Sequence, residues 1–384
     1  MQTTPFPHDA RIGIMKGGQL GKMLLQAMLS YDFKSVVLDS DPHAPCATLC
    51  DDFVLGDALD YEAVLKFGRS VDVLTIEFEH VNLDALETLE KEGRAVHPSS
   101  SVLRVIQDKG LQKEFYAKHG LPSSRFFLVD PEQDLNEQIQ AAGFSYPVIQ
   151  KTRMAGYDGK GVKKLSSPTD QPFTEPSLIE ECVQIQKELA VLLARNPQGE
   201  VAVYPLIEMV FHPEKNLVQT LFAPARVSVD VEEKALALAH KLADELQLVG
   251  VLAVELFLTQ DGQLLINESA PRVHNSGHHT IEANSTSQFE QHLRAIMGLP
   301  LGSTAMHSPA VMVNILGEDA FSGPVQYQGI QELMATPKVH LHLYGKKETR
   351  PHRKMGHFTV LDSSLDEALS KADSLNQSFK AISS

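Results

Sequence analysis

The stretch VLAVELFLTQDGQLLINE, residues 251–268, contains two apolar runs joined by an Asp-Gly pair. Asp-Gly is a favoured two-residue turn between antiparallel strands, so the stretch predicts a β-hairpin. The turn fixes which residues of the two strands lie opposite each other. The predicted pairs are Leu258 with Leu265, Phe257 with Ile266, and Glu255 with Glu268.

Two carboxylates face each other in this register. Directly opposed residues have Cβ atoms roughly 4.5–5.5 Å apart, so Glu255 and Glu268 repel each other unless one is protonated or a cation lies between them. The alternative, in which both point to solvent, is disfavoured because an unpaired charge among apolar strand residues is costly. Carboxylates suit Mg²⁺ that also carries nucleotide phosphates. We therefore predict Glu255 and Glu268 as ligands of Mg²⁺ or Mn²⁺, with Asn267 adding a neutral oxygen beside them.

A run of polar residues follows the second strand of this hairpin. The sequence LLINESAPRVHNSGHH, residues 264–279, ends a strand and then presents an Arg, three His, an Asn and a Ser. Such side chains donate hydrogen bonds to anions, and here they would stand beside the predicted metal. The stretch therefore indicates a pocket for a small anion.

The composition is that of a globular protein. The chain has 384 residues, of which 43% are hydrophobic and 22% charged, which is ordinary for such proteins. The net charge of −15 disfavours binding to nucleic acids or anionic membranes, and no run reaches the roughly 18 apolar residues of a membrane span. Three sparse cysteines without a signal peptide favour a cytoplasmic location.

The order of the predicted elements divides the chain into three parts. Strands and helices alternate over the first part, beginning with the strand RIGIM at 11–15, which indicates a parallel, doubly wound sheet. Short β-rich segments divided by Gly and Pro come next, and longer strands and helices follow. The predicted fold class is α/β. It has a doubly wound domain at 1–122, a small α+β lid domain at 123–204 and a larger α+β domain at 205–384.

Two glycine-rich loops lie in the first two parts. MKGGQLG (15–21) follows a strand but has Lys16 where a dinucleotide-binding fingerprint has its first glycine, so it supports a nicotinamide site only weakly. KTRMAGYDGKGVKK (151–164) lies between two strands and therefore differs from a Walker A loop, which opens a helix. Its density of Gly, Lys, Tyr and Asp favours a lid that folds over phosphates, although a plain flexible hairpin is the alternative.

These parts together resemble an enzyme family. The glycine-rich hairpin, the acidic segment IEECV and the late Glu and Asn-Glu residues resemble the ATP-grasp superfamily. The strings GGQLGKML, YDGKG, NESAPRVHNSGHHTIEA and YGKKETRPHRKMGH, spread over nearly the whole chain, resemble the 5-(carboxyamino)imidazole ribonucleotide synthases of purine biosynthesis. The resemblance implies a carbon–nitrogen ligase in which ATP phosphorylates bicarbonate to carboxyphosphate, which then carboxylates the amine of aminoimidazole ribonucleotide. It also implies a homodimer.

The resemblance assigns roles to residues by their place in the matched motifs. Catalytic roles fall on Asp158, Arg272, His274 and Lys346. The positions implied to hold ATP are Arg104, Lys151, Ala155, Gly156, Tyr157, Asp158, Gly159, Lys160, Gly161, Glu180, Glu181, Cys182, Val183, Glu188, His212, Asn267 and Glu268. Those implied to contact the imidazole ribonucleotide or bicarbonate are Gln19, Leu20, Glu77, Tyr157, Lys160, Asn275, Ser276, Lys346 and Arg353.

The resemblance implies that the pocket for bicarbonate or carboxyphosphate is formed by Arg272, His274, Asn275 and Ser276. It also makes Asp158 the candidate that accepts a hydrogen bond from the substrate amine. Fixed donors around such an anion stabilise it as charge develops. Two histidines of the strand KVHLHLY, His340 and His342, are expected on one polar face.

Three other functions compete with this one, and the complete set of catalytic positions argues against one of them, a nucleotide-binding sensor without turnover. A formate-dependent glycinamide ribonucleotide ligase of the same superfamily is the nearest, and PRVHNSGH argues against it. A nicotinamide-dependent oxidoreductase would account for the first domain but leaves Glu255, Glu268 and the 151–164 loop unexplained.

Overall fold

The five N-terminal strands form a parallel sheet in the order β3-β2-β1-β4-β5. In the computed structural model, residues 8–154, 161–212 and 217–383 are described. The sheet strands are Arg11–Met15 (β1), Lys34–Asp39 (β2), Asp52–Leu55 (β3), Val73–Ile76 (β4) and Ala95–Val96 (β5). Apolar clusters cover both faces, which explains the near-continuous hydrophobic strands. The predicted doubly wound sheet is confirmed.

Five helices accompany this sheet, at Gln19–Met28 (α1), Tyr61–Arg69 (α2), Leu83–Lys91 (α3), Ser100–Gln107 (α4) and Lys109–Lys118 (α5). Four of them begin at a side-chain cap that accepts a backbone N–H, which satisfies a donor that the helix itself leaves unpaired. The capping residues are Asp60, Asn82, Ser99 and Asp108.

A small antiparallel sheet follows in the order β6-β9-β7-β8. Its strands are Phe126–Leu128 (β6), Val148–Thr152 (β7), Val162–Leu165 (β8) and Ser177–Glu181 (β9). The helix Leu135–Ala141 (α6) closes a minor apolar cluster with it. This unit is the predicted small α+β part.

The largest sheet has nine strands in the order β15-β14-β10-β12-β13-β16-β20-β18, with β11 paired to β10. Their bounds are Ile185–Arg195 (β10), Val201–Val203 (β11), Ile207–Phe211 (β12), Val218–Ala223 (β13), Gly250–Thr259 (β14), Leu264–Ala270 (β15), Ala310–Leu316 (β16), Val339–Leu343 (β18) and Lys354–Leu361 (β20). The helix Val229–Glu245 (α7) packs its alanines and leucines on β10 and β14, and this interface is the main core of the molecule.

The remaining elements lie around the C-terminal half of this sheet. Gly323–Gln328 (β17), Glu348–Thr349 (β19) and Lys380–Ser383 (β21) form a three-stranded sheet. The helices are Thr280–Ala283 (α8), Gln288–Ile296 (α9), Ile330–Ala335 (α10) and Leu365–Ser378 (α11). Within the described ranges, no helix combines the length and the apolar character that crossing a membrane requires.

Strand pairing differs from the predicted limit at residue 204. β10 and β11 pair within the nine-stranded sheet, so the small sheet ends at Glu181. The segment was assigned to the small part because its strands are short and divided by Gly and Pro, but residues 189–194 are fully buried against the large core. The exact domain limits stay a prediction, since strand pairing delimits sheets rather than domains.

The predicted hairpin forms, but its register was partly wrong. The observed pairs are Leu258 with Leu264, Phe257 with Leu265, Leu256 with Ile266, and Glu255 with Glu268. The turn is longer than predicted, since Thr259 N donates to Gln263 O at 2.9 Å and Gly262 has a positive φ of 83°. A β-bulge then restores the predicted pairing of the two acids, because Asn267 is an extra residue between Ile266 and Glu268.

Candidate functional site

The paired acids of the hairpin occupy different environments. The Glu255 side chain is 13% exposed, whereas that of Glu268 is 44% exposed. Lys109 Nζ lies 2.7 Å from Glu268 Oε2. Glu255 has a histidine beside it, with His274 Nε2 3.9 Å from Glu255 Oε1. The same residue type is therefore compensated by a fixed cation on one strand and left almost uncompensated on the other.

This difference moves the two carboxyl pKa values in opposite directions. Burial raises the pKa of Glu255, and the nearby charges of Glu268 and Glu188 raise it further. The Lys109 ammonium holds the pKa of Glu268 below its usual range. Burial also raises the pKa of Glu188 to about 7. Without a metal the pair therefore shares one negative charge near neutral pH, and a divalent cation would displace the proton.

Lys109 is a site residue that the sequence analysis did not select. It opens α5, one residue after the helix cap Asp108, and burial opposes its charge while Glu268 raises its pKa. Arg104, which the resemblance assigned to ATP, pairs with Glu87 at 3.3 Å and is half exposed. The signal that could have identified Lys109 is the Asp-Lys pair at a helix start, followed by Lys113 on the same helix face.

A buried charge cluster lies next to the acids. Lys151 Nζ, at the base of the glycine loop, donates to Asn267 Oδ1 at 3.0 Å and lies 3.1 Å from Glu180 Oε2. Lys113 Nζ lies 3.5 Å from Glu180 Oε1 and donates to Ser124 Oγ at 2.9 Å. Burial would raise the pKa of Glu180, but the two lysines outweigh it and lower it, and burial lowers the pKa of Lys113 to about 8. The cluster fixes Lys151 beside the acid pair.

The residues after β15 form an anion cradle, which we define as residues 272–276. Arg272 Nε lies 2.8 Å from Glu79 Oε1, and Glu79 follows β4 of the first sheet, so this ion pair joins the two ends of the site. Burial opposes the charge of Arg272, but Glu79 raises its pKa. The sequence analysis selected Glu77 of the same IEFEH segment and missed Glu79.

The other cradle residues are held by local hydrogen bonds. His274 Nδ1 lies 2.9 Å from Ser276 Oγ, and Ser276 is 1% exposed. Asn275 and Asn314 exchange two side-chain amide hydrogen bonds, both of 2.9 Å. Ser276 O lies 3.1 Å from His279 Nδ1, so a backbone carbonyl pairs with this histidine.

The predicted ribonucleotide residues of the first domain meet at the carboxyl edge of the parallel sheet, where open α/β sheets bind ligands. Leu20 N donates to Glu77 Oε1 at 3.2 Å, next to Gln19 at the start of α1. A Cβ at Gly18 would lie 2.4 Å from that oxygen, so this glycine is required for the approach. Burial raises the pKa of Glu77, and the charges of Arg272 and Lys346 act against this shift.

The other predicted contacts are only partly brought together. Lys346 Nζ donates to Lys354 O at 2.7 Å, and Lys354 lies close enough to Glu255 to oppose the rise of its pKa. Arg353 donates to Glu348 O at 2.7 Å on the exposed side of this loop.

Several residues that the resemblance assigned to ATP lie on or next to the strands between the small and large sheets. Glu180 and Glu181 end β9, Cys182 and Val183 follow, Glu188 lies on β10, and His212 N donates to Leu217 O at 2.9 Å. Gly161 O accepts from Thr152 N at 2.8 Å. Ala155, Gly156, Tyr157, Asp158, Gly159 and Lys160 lie outside the described residues.

His342 does not simply face solvent as one polar side of its strand. Its Nε2 lies 2.5 Å from Glu282 Oε1, and its ring stacks on His357 at 4.5 Å. His357 in turn stacks on His278 at 4.7 Å, and burial lowers the pKa of both rings well below the usual value. His340 is exposed, as expected.

The donor set fits a magnesium ion that is shared with a nucleotide. In the described ranges, no three or more His, Cys, Asp or Glu side chains lie close enough together to hold a metal. Glu255 and Glu268 supply two carboxylates, and Mg²⁺ is ordinarily held by one or two carboxylates, substrate phosphates and waters. The geometry therefore fits an ion that arrives with a phosphorylated ligand.

Family models match three successive parts of the chain. The ribonucleotide synthetase preATP-grasp domain matches residues 10–107, the ATP-grasp domain 114–289, and the phosphoribosylaminoimidazole carboxylase C-terminal domain 310–371. Fold and site together thus define an ATP-grasp ligase.

Individual proteins give the finer assignment. The chain is 38% identical over 364 residues to N5-carboxyaminoimidazole ribonucleotide synthase of Bacillus subtilis, covering 93% of each chain. The crystal structure of the corresponding synthetase from Thermotoga maritima has a TM-score of 0.91 at 42% identity, covering 98% of this chain and 100% of that one. A crystal structure of the synthase from Aspergillus clavatus in complex with ADP and 5-aminoimidazole ribonucleotide has a TM-score of 0.87 at 32% identity, covering 96% and 98%. The chain belongs to the N5-carboxyaminoimidazole ribonucleotide synthase family.

Proposed function

We propose that this chain catalyses the ATP-dependent carboxylation of 5-aminoimidazole ribonucleotide by bicarbonate, with N5-carboxyaminoimidazole ribonucleotide, ADP and phosphate as products. Its family membership supports the proposal, and so does the ADP and ribonucleotide complex of the Aspergillus clavatus relative. The observation that carries it is the meeting of the acid pair, the anion cradle and the carboxyl edge of the first sheet, joined by Arg272 and Glu79.

The nucleotide would lie between the small and large sheets. Lys151 and Lys109 present ammonium groups beside the acid pair, where they would contact ATP phosphates. Glu188, whose pKa burial raises to about 7, would hydrogen-bond the ribose hydroxyls. The finer assignments to Arg104, Glu181, Cys182, Val183 and His212 remain proposals carried by the resemblance.

Glu255 and Glu268, with Asn267 nearby, are the residues that would hold Mg²⁺. When bound, this ion neutralises charge on the transferred phosphoryl group. In the first step a bicarbonate oxygen forms a bond to the γ-phosphorus and the bond to the ADP oxygen breaks, which yields carboxyphosphate. Arg272 and the His274 Nε2–H, which lie next to Glu79 and Glu255, would stabilise the anion.

In the second step the substrate amine bonds to the carboxyl carbon, phosphate leaves, and the amine loses one proton. Glu77, Lys346 and the Gln19–Leu20 backbone would orient the ribonucleotide from the first domain and the C-terminal loop. Asp158, which lies with Tyr157 and Lys160 in the glycine loop, is the proposed acceptor of the amine's hydrogen bond and of the proton that the amine loses. We further propose that the enzyme is a cytoplasmic homodimer.

Isotope transfer tests the reaction directly. With ¹⁸O-bicarbonate, aminoimidazole ribonucleotide and MgATP, we expect one ¹⁸O in each released phosphate, because the phosphoryl group bonds to a bicarbonate oxygen. Formate with glycinamide ribonucleotide serves as the competing substrate pair, and NAD as the competing cofactor. Unlabelled phosphate, or turnover with formate instead of bicarbonate, would refute the proposal.

A further inference from the structure

Two glutamines on the helix α9 make the same kind of contact in different places. Gln288 and Gln291 are both 0% exposed, and each side-chain amide pairs with the backbone N–H and C=O of a single residue. Gln291 binds Gly302, with both hydrogen bonds 2.7 Å long. Gln288 binds His274 of the anion cradle. Comparing the two glutamines distinguishes the effect of such a contact on stability from its effect on the site.

The Gln288 contact fixes the backbone of His274. His274 N donates to Gln288 Oε1 at 2.8 Å, and Gln288 Nε2 donates to His274 O at 2.7 Å. The second Nε2 hydrogen faces His278 Nδ1 at 3.2 Å. Because His274 is extended, with φ −137° and ψ 157°, the amide acts like a neighbouring strand on one residue of the cradle.

The backbone position of His274 decides where its ring points. Ser276 N donates to His274 Nδ1 at 3.3 Å, so Nδ1 carries the lone pair in the neutral ring and Nε2 carries the proton. Nε2 faces Glu255 Oε1 at 3.9 Å. A shift of the His274 backbone would therefore move a hydrogen-bond donor away from the acid pair.

Gln288 is itself held firmly. Its backbone N donates to Thr280 Oγ1 at 2.9 Å, and Thr280 Oγ1 donates to Gly277 O at 2.6 Å. A Cβ at Gly277 would lie 2.5 Å from Gln288 Oε1, so only glycine leaves room for the amide. The cradle turn and the start of α9 are thus built around this one side chain.

We propose that Gln288 is a positioning residue for the carboxyphosphate pocket, which it acts on through His274 without touching the substrate. This inference rests on the proposed function. Supporting groups that orient a functional histidine typically change activity by about 10- to 100-fold when they are removed, and small misplacements in a reactive site have effects of similar size.

The test compares Gln288→Met with Gln291→Met in the full-length protein. Both changes keep the length of the side chain and remove a hydrogen bond to a backbone N–H and one to a backbone C=O, and Gln288→Met also removes the contact with His278 Nδ1. We expect a similar fall in melting temperature. Only Gln288→Met should raise the KM for bicarbonate or lower kcat by about 10- to 100-fold. It should also release more phosphate per carboxylated product, because a loosened pocket loses carboxyphosphate to water. The KM for ATP should stay within about twofold in both.

Amide hydrogen exchange gives a readout that does not depend on turnover. The His274 amide should exchange faster in Gln288→Met than in the wild type, and at the wild-type rate in Gln291→Met. Equal kinetic changes in the two variants would overturn the positioning role. So would a Gln288→Met variant in which both the phosphate released per carboxylated product and the exchange of the His274 amide are unchanged. If the wild-type protein did not carboxylate the ribonucleotide, the proposed function would fail, and the exchange measurement would still decide whether Gln288 holds the cradle.

Discussion

The carboxylates in and next to the acid pair are compensated in two different ways. On the lysine side, which comprises Glu268 and Glu180, each carboxylate has an ammonium partner, Lys109 for Glu268 and Lys113 with Lys151 for Glu180. On the acid side, which comprises Glu255 and Glu188, burial raises both pKa values and protonation removes the charge. The lysine side therefore offers ammonium groups that would suit a phosphate, and the acid pair offers carboxyl groups that would suit a cation.

The largest effect should come from removing either member of the acid pair. Glu255→Gln and Glu268→Gln should each lower kcat by about 10³-fold, because the developing phosphoryl charge loses a fixed ligand arrangement. Steady-state assays at saturating ATP and bicarbonate measure this, with melting temperature as the check on folding. A variant that keeps activity within tenfold would show that its carboxylate is not part of the metal site.

The next effect separates Lys109 from Arg104. Lys109→Met should lower kcat/KM for ATP by about 10- to 100-fold, the size of one charge-assisted contact of roughly 1.5–3 kcal/mol. Arg104, a proposed ATP contact, is half exposed and paired with Glu87, so Arg104→Met should lower kcat/KM for ATP by a smaller factor, at most about fivefold. A larger loss in Arg104→Met than in Lys109→Met would contradict this order.

A smaller effect concerns stability on the lysine side. Lys113→Met should lower the free energy of unfolding by about 1–2 kcal/mol, less than the usual cost of breaking a buried pair. Glu180 keeps Lys151 at 3.1 Å and the Ser124 hydroxyl at 2.8 Å, which limits the loss. Urea titration measures it, with Lys91→Met as the control, since Lys91 forms an exposed pair with Glu87. Equal midpoints for both variants would contradict a structural role of the buried ammonium.

The smallest effect is a pH dependence on the acid side. The folded protein binds a proton at Glu255 that the unfolded chain releases, so this group makes stability fall as pH rises from the ordinary carboxyl pKa towards the raised one. The slope is at most about 1.4 kcal/mol per pH unit for one proton. Thermal unfolding in EDTA between about pH 5 and 7 should show a steeper fall in the wild type than in Glu255→Gln. Parallel curves would mean that Glu255 is ionised in the metal-free protein.

The sequence could predict the acid pair but not its full surroundings. The pairing of Glu255 with Glu268 was correct because a longer turn and a bulge at Asn267 compensate each other. Hairpin patterns carry this information because the two strands are neighbours in the chain. Lys109 and Glu79 lie more than a hundred residues from the groups they contact. A helix-start signal could single out Lys109, but no local pattern shows which group Lys109 or Glu79 contacts.

Local sequence patterns also predicted the turn between the first strand and the first helix of the N-terminal domain. Lys16 stands where a dinucleotide-binding loop has glycine, and it adopts a positive φ of 75° there. The turn geometry therefore persists without the fingerprint. The domain limit at 204 stays a prediction, but the strand pairing does not follow it, since β10 joins the large sheet through tertiary pairing that the sequence does not show.

The central claim is that the acid pair holds a divalent ion next to the bicarbonate site in the cradle. Paramagnetic relaxation of ¹³C-bicarbonate, with Mn²⁺ and ADP bound to the enzyme, tests it most directly. We predict strong relaxation of the carbonyl carbon in the wild type and loss of the effect in the Glu255→Gln/Glu268→Gln double variant. Equal relaxation in both proteins, or none in the wild type with Mn²⁺ demonstrably bound, would contradict the account.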